Sequence, residues 1–270
     1  MHVYTNVFGF VMPTYGLMIA MGVVFANLAG LFVLKYEHLD FNDFMVLEAY
    51  AMLGAYIGAK ILYLAVTYRQ IDWNRILDYK YLNNLMLGGF VFYGGMIGGF
   101  LFIHLGGRIH RIQTKEYIKD FIFLIPFIHC FGRIGCFMAG CCYGVPYHQI
   151  GAVVFPEGSY APPGIELFPI QLVESGCLMM IAIFLLFQRI VRRSDYTTEM
   201  YFLLYGIIRF ILEYFRYDAV RGRILFFSTS QWISVCMVVI SAGMFVEKRR
   251  RIKSVRSRLG DNQVSIEIQD

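Results

Sequence analysis

Charged residues are scarce in this chain. Asp, Glu, Lys and Arg make up only 16% of its 270 residues, whereas hydrophobic residues make up 58%. Soluble domains carry about 25% charged residues, so this composition excludes an ordinary soluble protein. The aromatic content of 17% and the mean hydropathy of +0.56 agree with repeated membrane crossings. We therefore predict an all-α, polytopic membrane protein.

The first ten residues contain no Lys or Arg and show no small-residue cleavage site. A secretory signal peptide needs both features, so we expect the first apolar segment to remain as a helix. The net charge of +5 comes from basic residues in loops and in the C-terminal tail, where they can set membrane topology. No nucleic-acid partner is therefore expected.

Seven apolar segments have about the 20 residues that a helix needs to cross the hydrocarbon core. Fifteen of the 24 Lys and Arg residues lie on one side of these segments, and five lie in the loops of the other side. The positive-inside rule then predicts an external N-terminus and a cytoplasmic C-terminus. We expect a transmembrane domain over residues 1–247 and a basic cytoplasmic tail over residues 248–270. The predicted helices cover residues 11–34, 44–66, 86–105, 118–138, 169–188, 198–216 and 228–246.

Arginines inside these segments need a reason, because an arginine near the bilayer centre costs roughly 2.5 to 3.5 kcal/mol. Arg133 lies near the outer end of the fourth segment. Arg209, Glu213 and Arg216 stand at i, i+4 and i+7 of the sixth, on one helix face. Guanidinium groups match phosphate oxygens, so these residues predict an anion site, with a lipid head-group phosphate as the natural ligand. The alternative is an Arg–Glu pair that neutralises itself and joins helices.

Other polar residues lie near the same external side. Gln171 and Glu174 are one turn apart at the start of the fifth segment, so both can face one cavity. Tyr15 and Tyr93 are either membrane-interface aromatics or contacts to a lipid head group. The sequence leaves both alternatives open.

Small residues recur at GxxxG spacing in two predicted helices. The pairs are Gly54/Gly58 in the second segment and Gly94/Gly98 and Gly95/Gly99 in the third. Glycines at this interval let helix backbones approach closely, so we predict packing contacts. Lys60 lies in the second segment as well and is expected either to pair with a neighbour or to reach an interface.

Four cysteines and one histidine surround Arg133 in the sequence. Their intervals match no standard zinc spacing, so no metal is expected. A Cys136–Cys141 disulfide, buried thiols, and a reactive thiol activated by Arg133 remain open. The residues concerned are His129, Cys130, Cys136, Cys141 and Cys142.

Several segments between Pro13 and Asp218 follow the order of motifs in a known enzyme family. The stretch from Gly132 to Gly144 resembles the signature GRxGNFxNxExxG, and the stretch from Gly206 to Arg216 matches an Arg-x-x-x-Glu-x-x-Arg segment. Through these motifs the chain resembles the bacterial prolipoprotein diacylglyceryl transferase family. The other matching segments cover residues 14–17, 54–60, 88–99 and 169–174.

The resemblance implies transfer of the sn-1,2-diacylglyceryl group from phosphatidylglycerol to the lipobox cysteine of a prolipoprotein signal peptide. This is the first step of lipoprotein maturation, at the bacterial inner membrane, and it needs no cofactor. On this basis Arg133 and Arg209 would hold the phosphate, Glu213 would orient an arginine, and Tyr15 would contact the head group. The other expected site residues are Tyr93 as a catalytic residue and Gly144, Gln171, Glu174 and Arg216 as substrate-binding residues.

The chain departs from the family at several positions of these motifs. Tyr93 stands where the family has a histidine proposed as a base, and tyrosine is the poorer base at neutral pH. Cys136, Ala139 and Cys141 replace two asparagines and a glutamate. Three alternatives therefore stay open: a divergent member with another acceptor, a transporter of anionic solutes, and a non-catalytic lipid-binding protein.

Overall fold

A computed structural model describes residues 2–7, 9–217 and 223–267, with side chains described except at 87, 223, 224 and 255–267. Helices dominate the described residues, as predicted. The α-helices are α1 (Thr14–Glu37), α2 (Phe41–Thr67), α3 (Tyr79–Leu87), α4 (Phe92–His110), α5 (Thr114–Phe121), α6 (Leu124–Ala139), α7 (Ile170–Ile190), α8 (Thr197–Leu212) and α9 (Thr229–Glu267).

Short antiparallel hairpins, which an all-α prediction does not include, accompany the helices. Each is a two-stranded sheet. In the first, Tyr4 pairs with Pro13, and in the second, Val153 pairs with Leu167. The strands are β1 (Tyr4–Val7), β2 (Phe10–Pro13), β3 (Val153–Val154), β4 (Glu166–Leu167), β5 (Arg223–Ile224) and β6 (Phe227–Ser228).

Among the described residues, four helices are long and apolar enough to cross a membrane. A fifth span results if α5 and α6, which meet at a bend of 46°, count as one. The prediction of a helical membrane protein therefore agrees with the structure, whereas seven spans and the direction of the termini stay predictions. The four long segments are Thr14–Glu37, Phe41–Gln70, Ile170–Ile190 and Thr229–Ser254.

Three predicted helices are wrong as continuous segments: 118–138, 86–105 and 198–216. The segment 118–138 breaks between α5 and α6, because Pro126 has no N–H and its ring would clash with a carbonyl one turn earlier. The segment 86–105 starts too early, because α3 ends before Gly88 and α4 begins at Phe92. Gly89 between them has φ +65°, a left-handed conformation that ends regular helix.

The chain forms two compact units, one of residues 32–118 and the other of residues 1–31 and 119–270. In the first unit, α2 packs on α4 at the predicted glycines. A Cβ atom at Gly54 would collide with the Gly98 carbonyl, and one at Gly58 would collide with the Gly94 carbonyl. The prediction that GxxxG spacing marks helix packing is confirmed.

Lys60 also lies in this first unit and is only 5% exposed. Its ammonium group donates to the carbonyls of Leu85 (2.8 Å), Gly88 (2.5 Å) and Gly89 (3.3 Å). The carbonyls at a helix C-terminus have no intrahelical donor. Lys60 therefore caps the C-terminal end of α3 and the two glycines after it, which is a structural role.

In the second unit, α6 packs on α7, α7 on α8, and α8 on α9. The largest fully buried side chains include Tyr201 and Tyr205 of α8. Beyond α6, Phe155, Ala161 and Leu167 form a small apolar cluster below the loops. This cluster gives the segment between α6 and α7 a core of its own.

The last helix is longer than predicted. The expected segment 228–246 corresponds to the first part of α9, which continues to Glu267. The predicted boundary between residues 247 and 248 therefore lies within one helix. Lys248 follows that boundary and donates to Glu199 of α8 at 3.0 Å, so the start of the basic segment packs on the helical unit.

Candidate active site

Arg133 lies on α6, nearly two turns before the helix ends. Its side chain is 12% exposed, and its Nη2 atom lies 3.0 Å from Oε1 of Glu174. Glu174 is on the second turn of α7, behind Pro169, and its side chain is 2% exposed. Removing two charges from water is costly, so a buried ion pair at this position requires good geometry and further partners.

Glu174 serves two arginines. Its second oxygen, Oε2, lies 3.7 Å from Nη1 of Arg216. A second carboxylate, Glu213, lies 2.7 Å from Nη2 of Arg209 and 4.0 Å from Nε of Arg216. Arg133, Glu174, Arg216, Glu213 and Arg209 therefore form one chain of charges, which we call the arginine network.

Arg216 joins the network by a route that differs from the prediction. The segment 198–216 is not one helix, because α8 ends at Leu212 and residues Glu213–Phe215 form a 3-10 turn. Arg216 is extended and makes an antiparallel bridge with Gly144. The shared helix face at i, i+4 and i+7 is thus wrong for Arg216, although the three side chains do converge.

The bridge to Gly144 explains why the helix stops. Val145 donates its N–H to the Phe215 carbonyl (3.0 Å), and Tyr217 donates to the Tyr143 carbonyl (3.2 Å). These bonds replace the helical bonds that residues beyond Leu212 would otherwise form. A Cβ atom at Gly144 would collide with the Phe168 carbonyl, so only glycine permits this approach.

The arginine network carries three guanidinium groups and two carboxylates, so one positive charge is left over. Nε of Arg133 and Nη1 of Arg209 are buried and have no hydrogen-bond acceptor within the part of the chain that the structure describes. A buried donor without an acceptor costs about 1 to 3 kcal/mol, and more when it is charged. Excess charge and open donors together are typical of a site that receives an anion.

The N-terminus of α9 supports the network through two serines that were not predicted as site residues. Ser228 donates its hydroxyl to Oε1 of Glu213 (2.9 Å), and Arg209 donates to the hydroxyl of Ser230 (3.4 Å). Ser228 also exchanges hydrogen bonds with Gln231, in which each backbone N–H reaches the other side chain. The pattern Ser-x-x-Gln before an apolar run is a capping box and was a readable signal.

Tyr15 and Gln171 lie beside α6 and its following loop. A Cβ atom at Gly135 would come within 3.1 Å of the Tyr15 ring, and the Tyr15 phenol interacts electrostatically with Cys136 and Arg133. Gln171 donates its amide to the Cys141 carbonyl at 2.9 Å. Gln171 therefore holds the loop after α6, while Glu174 binds arginines.

Tyr93 belongs to the unit of residues 32–118, on the first turn of α4. Its hydroxyl is buried and has no hydrogen-bond partner among the residues that the structure describes. The ring lies edge-on to Phe92, with centroids 5.9 Å apart. A catalytic role for Tyr93 stays a prediction.

Three of the cysteines converge at the end of α6. The sulfur atoms of Cys136, Cys141 and Cys142 all lie within 4.8 Å of one another, and each of the three residues is a thiol and not half of a disulfide. Cys130 instead contacts the hydroxyl of Ser175 at 3.0 Å. We call Cys136, Cys141 and Cys142 the thiol cluster.

Hydrogen bonds within the thiol cluster affect Cys142, in the loop after α6. Bonds from Cys136 and Cys141 lower the pKa of the Cys142 thiol, and the positive charges of Arg216 and Arg133 act in the same direction. Cys142 is therefore the member that most readily becomes a thiolate. His129, considered as a metal ligand with the cysteines, instead packs on Tyr205 with ring centroids 5.8 Å apart.

The chain is similar to known proteins over most of its length. The model of the prolipoprotein diacylglyceryl transferase family matches residues 2–247. A phosphatidylglycerol–prolipoprotein diacylglyceryl transferase 2 of Clostridium perfringens is 32% identical over 237 residues, 87% of this chain and 90% of the relative. The corresponding transferase of Clostridium tetani is 32% identical over 244 residues, 89% of this chain and 94% of the relative. The resemblance seen in the motifs is confirmed, and the chain belongs to the prolipoprotein diacylglyceryl transferase family.

Proposed function

We propose that the protein transfers the sn-1,2-diacylglyceryl group of phosphatidylglycerol to the lipobox cysteine thiol of a prolipoprotein signal peptide, and so releases glycerol phosphate. The observation that carries this proposal is the positive charge left over in the arginine network, together with its open donors on Arg133 and Arg209. The named activity of the relatives supports the choice of donor lipid and acceptor.

The reaction requires a stable phosphate leaving group. The acceptor thiol loses its proton, and its sulfur attacks the glyceryl carbon that bears the phosphate ester. A C–S bond forms, the C–O bond breaks, and the electron pair leaves with the glycerol phosphate. Negative charge therefore grows on the phosphate, where fixed cations stabilise the transition state more than the ground state.

The network residues have complementary parts in this proposal. Arg133 and Arg209 bind the phosphate through their open donors. Glu174 and Glu213 hold the guanidinium groups in place. Arg216 contacts both carboxylates and supplies the third positive charge of the network. Because the carboxylates fix the arginines before the lipid binds, little reorganisation remains to be done during the reaction.

Other expected residues of the unit that carries the arginine network act around the phosphate. Tyr15, beside Arg133 and Cys136, contacts the head group. Gly144 and Gln171 position Arg216 and the loop after α6. Tyr93 stands where the family has a histidine, and its catalytic role is proposed from that motif position alone. The donor lipid, the acceptor peptide and the surrounding membrane lipid are the partners, and the reaction needs no cofactor.

We further propose seven spans in the bacterial inner membrane, with the N-terminus outside and the C-terminus in the cytoplasm. Beyond the five apolar spans, α4 has 19 residues, and α8 with the 3-10 turn at Glu213–Phe215 measures roughly 30 Å. Both match the thickness of the hydrocarbon core. A fluorescent protein fused after residue 270 should fluoresce in the cytoplasm. A reporter enzyme that works only outside the cytoplasm should be inactive when fused at the same position, and its activity would contradict this orientation.

The proposed reaction is tested with purified protein in detergent, phosphatidylglycerol and a lipobox peptide. Glycerol phosphate should be released, and Arg133→Ala or Arg209→Ala should lower kcat about 10²- to 10³-fold, the usual cost of losing a donor to a developing anion. Arg75→Ala is the matched control, because Arg75 is exposed and its side chain contacts only the surface, in a salt bridge with Asp78 and over the ring of Tyr81, among its described contacts. Its turnover should equal that of the wild type.

Two results would overturn the proposal in different ways. Stoichiometric binding of phosphatidylglycerol without any turnover would identify a lipid-binding protein. Solute uptake by proteoliposomes without lipid consumption would identify a transporter. The acceptor is tested by complementation of a bacterial strain depleted of its own transferase. Failure to complement, with glycerol phosphate release intact in vitro, would point to another acceptor.

A further inference from the structure

The thiol cluster is not used by the proposed transfer reaction. Cys136 is buried on the last turn of α6, whereas Cys141 and Cys142 are half-buried in the following loop. The three sulfur atoms lie within 4.8 Å of one another. In a zinc–thiolate site with Zn–S bonds of about 2.3 Å, neighbouring sulfurs are roughly 3.8 Å apart. Small side-chain rotations would therefore bring all three sulfurs to one ion.

The backbone around the cluster explains how irregular sequence spacing produces a compact site. Gly140, with φ +76°, ends α6 by donating its N–H to the carbonyls of Cys136 and Phe137. Cys141 also donates to the Cys136 carbonyl (3.1 Å), and Cys142 has φ +56°. Two left-handed residues thus fold the loop back onto the helix end, which removes the spacing argument against a metal.

A side chain from a different helix holds this loop in place. The Gln171 amide on α7 donates to the Cys141 carbonyl, and Gln171 is fully buried. The loop is therefore fixed to α7 independently of any ligand. Fixed donor atoms favour metal binding, because less conformational freedom is lost when the ion arrives.

Charge also favours an ion at this position. Three thiolates and one divalent ion carry a net charge of −1, and Arg133 and Arg216 both act electrostatically on Cys142. A negatively charged complex beside these arginines would be stabilised. A disulfide, in contrast, would join two of the cysteines and leave only one sulfur able to bind an ion.

We propose that Cys136, Cys141 and Cys142 form a three-thiolate site for one thiophilic divalent ion of the zinc class. Each ligating thiol loses its proton to solvent when the ion binds. Three protein ligands leave a fourth coordination position, which a water molecule or another ligand fills. The proposal does not depend on the transfer reaction, because its test measures metal rather than activity.

The experiment uses full-length protein in detergent, reduced and treated with a chelator without oxygen. Cadmium is the spectroscopic probe, because thiolate–cadmium bonds absorb in the ultraviolet, and zinc is the competitor. One equivalent should bind, and Cys136→Ser, Cys141→Ser or Cys142→Ser should each weaken binding more than about 10-fold, as the loss of a direct ligand exceeds outer-shell effects. Cys177→Ser and Cys236→Ser are matched controls that should bind like the wild type.

A second measurement needs no variant and covers the case in which a serine variant does not fold. Mass spectrometry counts the cysteines that an alkylating reagent modifies with and without zinc. Zinc should protect Cys136, Cys141 and Cys142 and leave Cys177 and Cys236 reactive. Absence of saturable binding, equal binding by all variants, or a disulfide within the cluster of protein prepared without oxygen would each overturn the proposal.

Discussion

Two regions of the molecule bury cationic side chains, and they satisfy them in opposite ways. Lys60 in the unit of residues 32–118 donates to three backbone carbonyls and lies against the rings of Tyr63 and Phe90. The arginine network instead uses two carboxylates for three guanidinium groups and retains open donors. A buried cation surrounded by backbone acceptors stabilises a fold, whereas a group of cations with incomplete acceptors is prepared for a ligand.

The largest effect is expected when the network loses a carboxylate. Glu174→Gln removes the counter-charge of Arg133, which is largely buried, and of Arg216, which is buried. Breaking a buried ion pair from one side costs about 3 to 5 kcal/mol, so the free energy of unfolding in detergent should fall by that amount and glycerol phosphate release should be lost.

The control for this variant is an exposed carboxylate of the same unit. Glu166→Gln breaks a surface pair with His148, in which both side chains are at least half exposed. Exposed pairs contribute about 0 to 1 kcal/mol, so this variant should unfold and turn over like the wild type. A Glu174→Gln protein as stable as Glu166→Gln would contradict the account of Glu174 as the shared partner.

An intermediate effect is expected at Lys60. Lys60→Met leaves the carbonyls of Leu85, Gly88 and Gly89 without their common donor; because Gly88 and Gly89 are exposed, water can replace part of this donor, and the total cost should be about 1 to 3 kcal/mol. Thermal unfolding should therefore shift to lower temperature, with kcat nearly unchanged in the folded fraction. Lys60→Arg retains a donor and should restore most of the stability. A large loss of kcat with normal stability would place Lys60 in the ligand-binding class instead.

The smallest effect is expected at the cap of α9. Ser228→Ala removes the bond to Glu213 and one half of the capping box. Loss of an N-cap residue costs about 1 kcal/mol, and a less fixed Glu213 should lower kcat more than it changes KM. Ser254→Ala, at an exposed position of the same helix, should leave both constants unchanged. Equal effects of the two substitutions would exclude a positioning role for Ser228.

Long apolar helices were predictable to within a few residues, because their hydrophobic runs decide where they lie. The predicted segment 169–188 corresponds to the helix Ile170–Ile190, and the predicted segment 44–66 corresponds to Phe41–Thr67. The network residues Arg133, Arg209 and Glu213 were also identified, because charges in apolar segments are conspicuous. These features depend on local composition, which a single sequence contains.

The features that escaped prediction depend on contacts between distant residues. Arg216 leaves the helical path because its backbone pairs with Gly144, and no periodicity in the sequence encodes that bridge. The thiol cluster arises from left-handed residues after α6, so sequence intervals gave no sign of it. The capping box at Ser228 is visible in the sequence, but it lies outside the family motifs between Pro13 and Asp218.

The uneven charge of the arginine network has a consequence for turnover. A phosphodiester carries one negative charge, which the extra positive charge of the network balances. The phosphomonoester that leaves carries about −1.5 to −2 at neutral pH, so the same arginines attract the product more strongly than the substrate. In the proposed reaction we therefore expect glycerol phosphate to compete with the lipid for the network and to leave it slowly.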